Sequence, residues 1–182
     1  MKLKQILLAG IAAGAANMAM AATGTITFNG EIVTDTCAVS VDGASSTIVT
    51  LPTVQTSSLN ASGSSTGTTN FSLYVKNCGD AVDARGITLT FTDPNGFDTT
   101  NKNLLKNFAT VTPATNVGIE LATGSDFAPS AAIAFAGAPY TTPTHLTSSG
   151  AVTLPFSARY TATGVATAGA VSSTMGWTIT YK

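Results

Sequence analysis

The sequence predicts an all-β fold, two sheets packed face to face, and three observations carry that prediction. Short runs alternate large apolar residues with small polar ones, and clusters of Gly, Asn, Ser and Pro separate them. Past residue 21 no segment holds a convincing helical period. Charged residues make up only 9% of the chain, and Thr, Ser, Ala and Gly fill the polar positions, which suits sheets whose faces are covered.

Residues 1–21 read as a removable export signal. Lys2 and Lys4 form a basic start, Ile6 to Ala16 an apolar stretch, and Ala19-Met20-Ala21 a small-x-small cleavage site. The apolar stretch is shorter than the roughly 20 residues a bilayer requires, and no other segment is expected to be membrane-embedded. Cleavage after Ala21 leaves 161 residues, enough for one domain with a sizeable core. That mature chain carries six Lys and Arg against nine Asp and Glu, for a net charge near −3. No basic patch forms, which argues against nucleic acid as a partner. Cys37 and Cys78 make one possible pair in an oxidising compartment, closing a loop of 40 residues. Such a closure removes unfolded-state entropy worth roughly 4 kcal/mol.

The alternating runs follow in order. Ile26, Phe28 and Ile32 come first, then Val39 and Val41 after Cys37, then Val49 and Leu51. Phe71, Leu73 and Val75 form the next run, and Ile87, Leu89 and Phe91 alternate with Thr88, Thr90 and Thr92. Val117, Ile119 and Leu121 follow, then Ile133 and Phe135, then Val152, Leu154, Phe156, Ala158 and Tyr160. The count is that of an immunoglobulin-like sandwich. Asp93-Pro94-Asn95-Gly96 is a turn by composition, with Pro presetting φ and Gly accepting positive φ. Ser57 to Thr69 reads as a low-complexity loop that needs no packed structure. Pro155 inside an alternating run predicts an edge strand or a bulge, since proline donates nothing to a ladder. A single helical turn is allowed near Leu104–Phe108.

The two ends of the mature chain are unusual. At the carboxyl end, Met175, Trp177, Ile179 and Tyr181 share one face of a strand, opposite Gly176, Thr178, Thr180 and Lys182. Four large side chains on one face place that strand inside a sheet, and the partner for its second edge need not come from this chain. At the amino end, Thr23 to Val33 alternates small polar residues with Gly24, Ile26, Phe28, Gly30 and Ile32. Cys37 marks where the domain body begins, so the segment before it projects as an extended arm. Equally, residues 25–33 read as the first strand of a closed sandwich.

Motifs in a fixed order tie these ends together. They are the arm Gly-Thr-Ile-Thr-Phe-Asn-Gly-Glu-Ile-Val, then Cys37-Ala38-Val39, then Cys78 closing a strand, then Ala114-Thr115-Asn116-Val117-Gly118-Ile119. Pro155 to Gly164 follows, then Gly169, fourteenth from the carboxyl terminus, and the penultimate Tyr181. In this order and spacing the chain resembles the chaperone–usher pilus subunits, close to the type 1 and P fimbrial pilins, over its whole mature length. The resemblance implies an incomplete immunoglobulin-like β-sandwich lacking its final strand, with a hydrophobic groove beside the C-terminal strand. In that family a periplasmic chaperone lends the missing strand, and at the outer-membrane usher the next subunit's arm replaces it, a case of strand addition.

Carried onto this sequence, the resemblance implies a signal peptide at 1–21, a donor-strand extension at 22–36 and a pilin domain at 37–182. Gly24, Ile26, Phe28, Gly30 and Ile32 would be the donor residues. Met175, Trp177, Ile179 and Tyr181 would line the groove or the adjacent core, and Gly169 and Tyr181 match the chaperone-recognition pattern. Trp177 reads equally as an ordinary core tryptophan. Cys37 and Cys78 form the disulfide.

No catalytic constellation is expected, and no metal or cofactor. His145, the single histidine, sits in a Thr-rich turn without a paired acid, and one histidine cannot complete a zinc site with two cysteines. Asp80 and Asp83 read as a solvated turn, and the Asn60 and Asn70 sequons as chance. The expected function is a structural subunit of a surface fimbria, exported through the periplasm, that partners with copies of itself or related pilins, a chaperone and an usher. The alternatives are a minor adaptor or adhesive subunit of the same pilus, and a self-contained secreted immunoglobulin-like binding domain. A separate lectin domain finds no room in 161 residues.

Overall fold

A computed structural model describes residues 37–42, 48–78, 86–128, 131–145 and 149–182, all within the compact unit Val33–Lys182. The expected signal segment and arm, including Gly24, Ile26, Phe28, Gly30 and Ile32, lie outside the described residues, as do Asp80 and Asp83. Among the described residues eight strands run in order: β1 (Ala38–Val41), β2 (Ser65–Lys76), β3 (Ile87–Thr92), β4 (Leu105–Lys106), β5 (Val117–Thr123), β6 (Tyr140–Thr141), β7 (Val152–Ala162) and β8 (Gly176–Tyr181). One 3-10 turn spans Thr56–Leu59. The strands form an all-β, immunoglobulin-like sandwich of two antiparallel sheets, ordered β1-β2-β7-β5-β4 and β6-β3-β8.

The period-2 runs become the inner faces. Phe71, Leu73 and Val75 of β2, Ile119 and Leu121 of β5, and Leu154, Phe156 and Ala158 of β7 are buried against Ile87, Leu89 and Phe91 of β3. Phe156 joins the layers, stacking on Phe71 with ring centroids 5.7 Å apart and meeting Phe91 edge-on at 5.3 Å. Each Val, Leu, Ile or Phe among them contributes roughly 1.5–3 kcal/mol by leaving water. Ile133 and Phe135 are buried too, yet they belong to no strand. Val49 and Leu51 likewise pack half-buried against the core outside any strand.

Three local expectations need correction. The segment 57–69 is structured: it supplies most of the 3-10 turn, buries Leu59, and begins β2 at Ser65. The alternation is hidden there because the register between β2 and β7 shifts between Thr66 and Thr69. Near Leu104 no helical turn forms; Leu105 pairs with Ile119 as a two-residue strand, tertiary pairing overriding local preference. Pro155 lies in β7, a central strand, opposite Ser72. Its carbonyl accepts from Gly124 N at 2.8 Å, just past Thr123, the last β5 residue paired with β7. The proline nitrogen points to the same side and cannot return a bond to Gly124, so the β5–β7 ladder ends at this pair. The 93–96 turn forms as expected, with Gly96 N donating to Asp93 O at 3.3 Å and Gly96 at a φ of 83°.

Candidate functional site

β8 reaches its place through a ladder with β3 that sets Trp177 opposite Phe91, Ile179 opposite Leu89 and Tyr181 opposite Ile87. Directly opposed residues of an antiparallel pair share a face, so the large side chains of β8 extend the same apolar layer as those of β3. β3 also has a neighbour on its other side, where β6 pairs at Thr90 and Phe91 and His145 exchanges both backbone bonds with Ile87 at 2.8 Å. β8 has β3 alone as a strand neighbour among the described residues.

Burial follows from that arrangement. Ile87, Leu89 and Phe91 are 0% exposed, whereas Trp177 is 42% exposed and Met175, Ile179 and Tyr181 are only half-buried. The exposure of Trp177 is not that of an ordinary core tryptophan. Thr178 and Thr180, on the opposite face, are open to solvent. The result is a sheet edge whose outer side has no strand partner among the described residues, alongside a partly uncovered apolar row, the arrangement most prone to accept another strand.

The site is bounded at both ends. At the Tyr181 end, the Tyr181 hydroxyl accepts a hydrogen bond from the Cys37 N–H at 2.9 Å. Cys37 is bonded to Cys78, whose Cα lies 4.4 Å away, and it leads into β1, an edge strand of the other sheet. The disulfide therefore anchors the point where the two sheet edges meet. No cysteine is free among the described residues.

Towards the start of β8, a cleft of about 390 Å³ opens among Val54, Leu59, Val117, Tyr160, Ala166 and Val171, with Ala114 and Gly169 also on its wall. Tyr160 and Val171 touch both the main core and the small cluster of Leu59, Ala114, Val117, Ala162 and Ala166, so the cleft is continuous with the interior. Burial pushes the Tyr160 phenol above its usual range, keeping it neutral. Gly169 sits against the backbone of the preceding connection: a Cβ there would lie 2.5 Å from both Ala114 N and Thr112 O. Only glycine fits so close an approach.

Of the residues singled out from sequence, Met175, Trp177, Ile179 and Tyr181 line this edge, Gly169 walls the cleft, and Cys37 and Cys78 fasten its far end. The cleft lining itself was not foreseen. Leu59, Ala114 and Ala166 belong to no alternating run, and no periodicity marks them. His145 is partly buried, which lowers its pKa from the ordinary 6.5. Among the described residues no group of three His, Cys, Asp or Glu side chains is placed to hold a metal ion.

Comparison with known proteins adds to the geometry. The family model described as fimbrial protein matches residues 26–182. The F17 fimbrial protein of Escherichia coli is 35% identical over 180 residues, covering 98% of each chain. The major fimbrial subunit SMF-1 of Stenotrophomonas maltophilia is 34% identical over 166 residues, covering 90% of this chain and 95% of that protein. Among solved structures, the P pilus rod subunit PapA shares the fold with a TM-score of 0.59, covering 88% of this chain and all of that one at 19% identity.

Proposed function

The chain belongs to the fimbrial protein family, and from that premise we propose that it is a structural subunit of chaperone–usher pili that polymerises by strand complementation along β8. The arm at residues 22–36 of one copy lies beside β8 of the next, presenting Gly24, Ile26, Phe28, Gly30 and Ile32 to the open apolar row. Before assembly a periplasmic chaperone covers the same edge, and an outer-membrane usher hosts the exchange. The signal at residues 1–21 delivers the chain to that compartment.

One observation carries the reading: large side chains of β8 that belong to the inner layer remain partly open, while their cross-strand partners on β3 are sealed. A strand added there gains backbone hydrogen bonds worth about 1 kcal/mol each. It also buries Ile26, Phe28 and Ile32 for roughly 1.5–3 kcal/mol apiece, before ordering costs. Because the arm and the acceptor edge are different surfaces, the contact is head-to-tail and does not close on itself. It therefore builds a filament.

The test compares the mature chain with a version lacking residues 22–33, each examined by size-exclusion chromatography and electron microscopy. The complete chain is expected to polymerise, or to need a chaperone to remain soluble. The shortened chain is expected to bind a peptide of residues 22–33 without forming fibres. A complete chain that stays monomeric and stably folded, its own arm covering β8, would overturn the reading.

A further inference from the structure

The connection from β7 to β8, residues 163–175, contains no regular strand or helix, yet it must hold one wall of the cleft and deliver β8 to its ladder. Its first half is tied by Asn116 Nδ2 donating to Val165 O at 2.9 Å, Thr115 N to Thr167 Oγ1 at 2.9 Å and Ala166 N to Leu59 O at 3.0 Å; one side chain, that of Asn107, ties the second half. Asn107 donates through Nδ2 to Ala114 O at 2.8 Å and to Ala170 O at 3.0 Å. Its Oδ1 accepts from Ala109 N at 3.1 Å and from Ser172 N at 3.0 Å. A primary amide offers two donors and two acceptor lone pairs, and all four are used.

The partners belong to two segments distant in sequence. Around them Phe108 N donates to Ser172 O, Ala114 N to Ala170 O, and Ala170 N to Thr112 O, at 3.0, 2.9 and 2.8 Å. Pro113 and Ala170 form a parallel bridge, and Ser173 Oγ donates to Lys106 O at 2.8 Å. Gly169, pressed against Thr112 and Ala114, lets the two backbones come this close. The lacing ends where Asn95 Nδ2 reaches Thr174 Oγ1 at 2.6 Å, two residues before β8.

We propose that Asn107 is a positioning residue for strand capture. It fixes Ala170 and Ser172, and through them the Gly169–Val171 part of the cleft wall and the entry of β8, before an incoming strand arrives. The proposal rests on the strand-acceptance reading above. A docking strand meets a preformed edge and does not have to order the 163–175 connection during association. Asparagine is required rather than aspartate, because a carboxylate at this position sets an acceptor against the carbonyl oxygens of Ala114 and Ala170.

The test uses the mature chain, residues 22–182, as wild type, Asn107→Asp, Asn107→Ala and Asn70→Ala. Asn70, on β2 in the other sheet, serves as the matched control: its side chain exchanges hydrogen bonds with Asp126, just past the end of β5. A fluorescent peptide of residues 22–33 is offered in excess, and its association rate is followed by anisotropy. Amide exchange at Ala170 and Ser172 is measured on the same samples, with denaturant midpoints for each.

Both Asn107 variants are expected to expose the Ala170 and Ser172 amides to faster exchange and to capture peptide at least about tenfold more slowly, the scale of losing one to two hydrogen bonds. Asn70→Ala should lower the denaturant midpoint without changing the capture rate. Asn107→Ala introduces no charge and decides the question if Asn107→Asp does not fold. Wild-type capture rates in a folded Asn107 variant overturn the proposal while leaving strand acceptance intact. A wild-type chain that stays monomeric and binds no peptide overturns strand acceptance itself, and this proposal with it.

Discussion

Phe91 and Trp177 face each other across one ladder, on one side of one sheet, with very different surroundings. Phe91 has strands on both sides and Phe156 above it, and it is fully buried. Trp177 has a strand on one side only among the described residues and remains 42% exposed. The two runs, Ile87-Thr88-Leu89-Thr90-Phe91 and Trp177-Thr178-Ile179-Thr180-Tyr181, alternate in the same way. Identical patterning therefore yields a core strand in one place and an acceptor edge in the other. What separates them is the number of neighbours, a property of topology and not of the strand itself.

The largest test of that contrast is to truncate both members. Phe91→Ala should cost about 3–5 kcal/mol, read as a fall in the denaturant midpoint, because a closed core cannot refill the volume. Trp177→Ala should cost far less in the isolated subunit and instead reduce polymer yield or capture of the 22–33 peptide. Equal losses of subunit stability would erase the distinction between core and edge.

Next in size is the fastening at the Tyr181 end. Cys37→Ser should lower stability by about 2–4 kcal/mol under oxidising conditions. Reductant should destabilise the wild type but leave the variant unchanged. A variant as stable as the wild type would remove the bridge from the account of how this end is held.

A finer probe is Tyr181→Phe, which keeps the ring and removes the acceptor for the Cys37 N–H. The expected loss is about 1 kcal/mol, visible as faster exchange of the Cys37 amide. Unchanged exchange would mean that the hydroxyl does not tie β8 to β1.

The smallest effect concerns the sealed side of β3, where His145 closes the ladder. Burial depresses its folded-state pKa below 6.5. The unfolded chain therefore takes up its proton first as pH falls below that value. The histidine's contribution to stability declines with falling pH until the folded state is protonated as well, and is level below that. His145→Gln should flatten this part of the stability profile, measured by urea titration across the range. A profile unchanged by the substitution would assign the acid sensitivity elsewhere.

Much of the fold was readable in advance. Runs such as Phe71–Val75, Ile87–Phe91, Val117–Leu121 and Leu154–Tyr160 declare strands because a period of two buries every second residue in a sheet. The beginning of β2 escaped notice because a register shift breaks its alternation. β4 is too short to show a period, and Pro155 fits a central strand because its missing donor falls where the β5–β7 ladder ends. At the site, the apolar row of β8 was legible and the cleft beside it was not.

The sequence alone determined which residues alternate, that two cysteines were available to pair, and that the final strand carries large side chains on one face. Local chemistry suffices for these, since each depends on residues close together in the chain. Only the tertiary structure decided that β3 lies between two neighbours while β8 has one among the described residues, that Gly169 presses on Thr112 and Ala114, and that Asn107 laces two remote segments. Those outcomes depend on which distant backbones come within hydrogen-bonding range, and no spacing along the chain encodes such a distance.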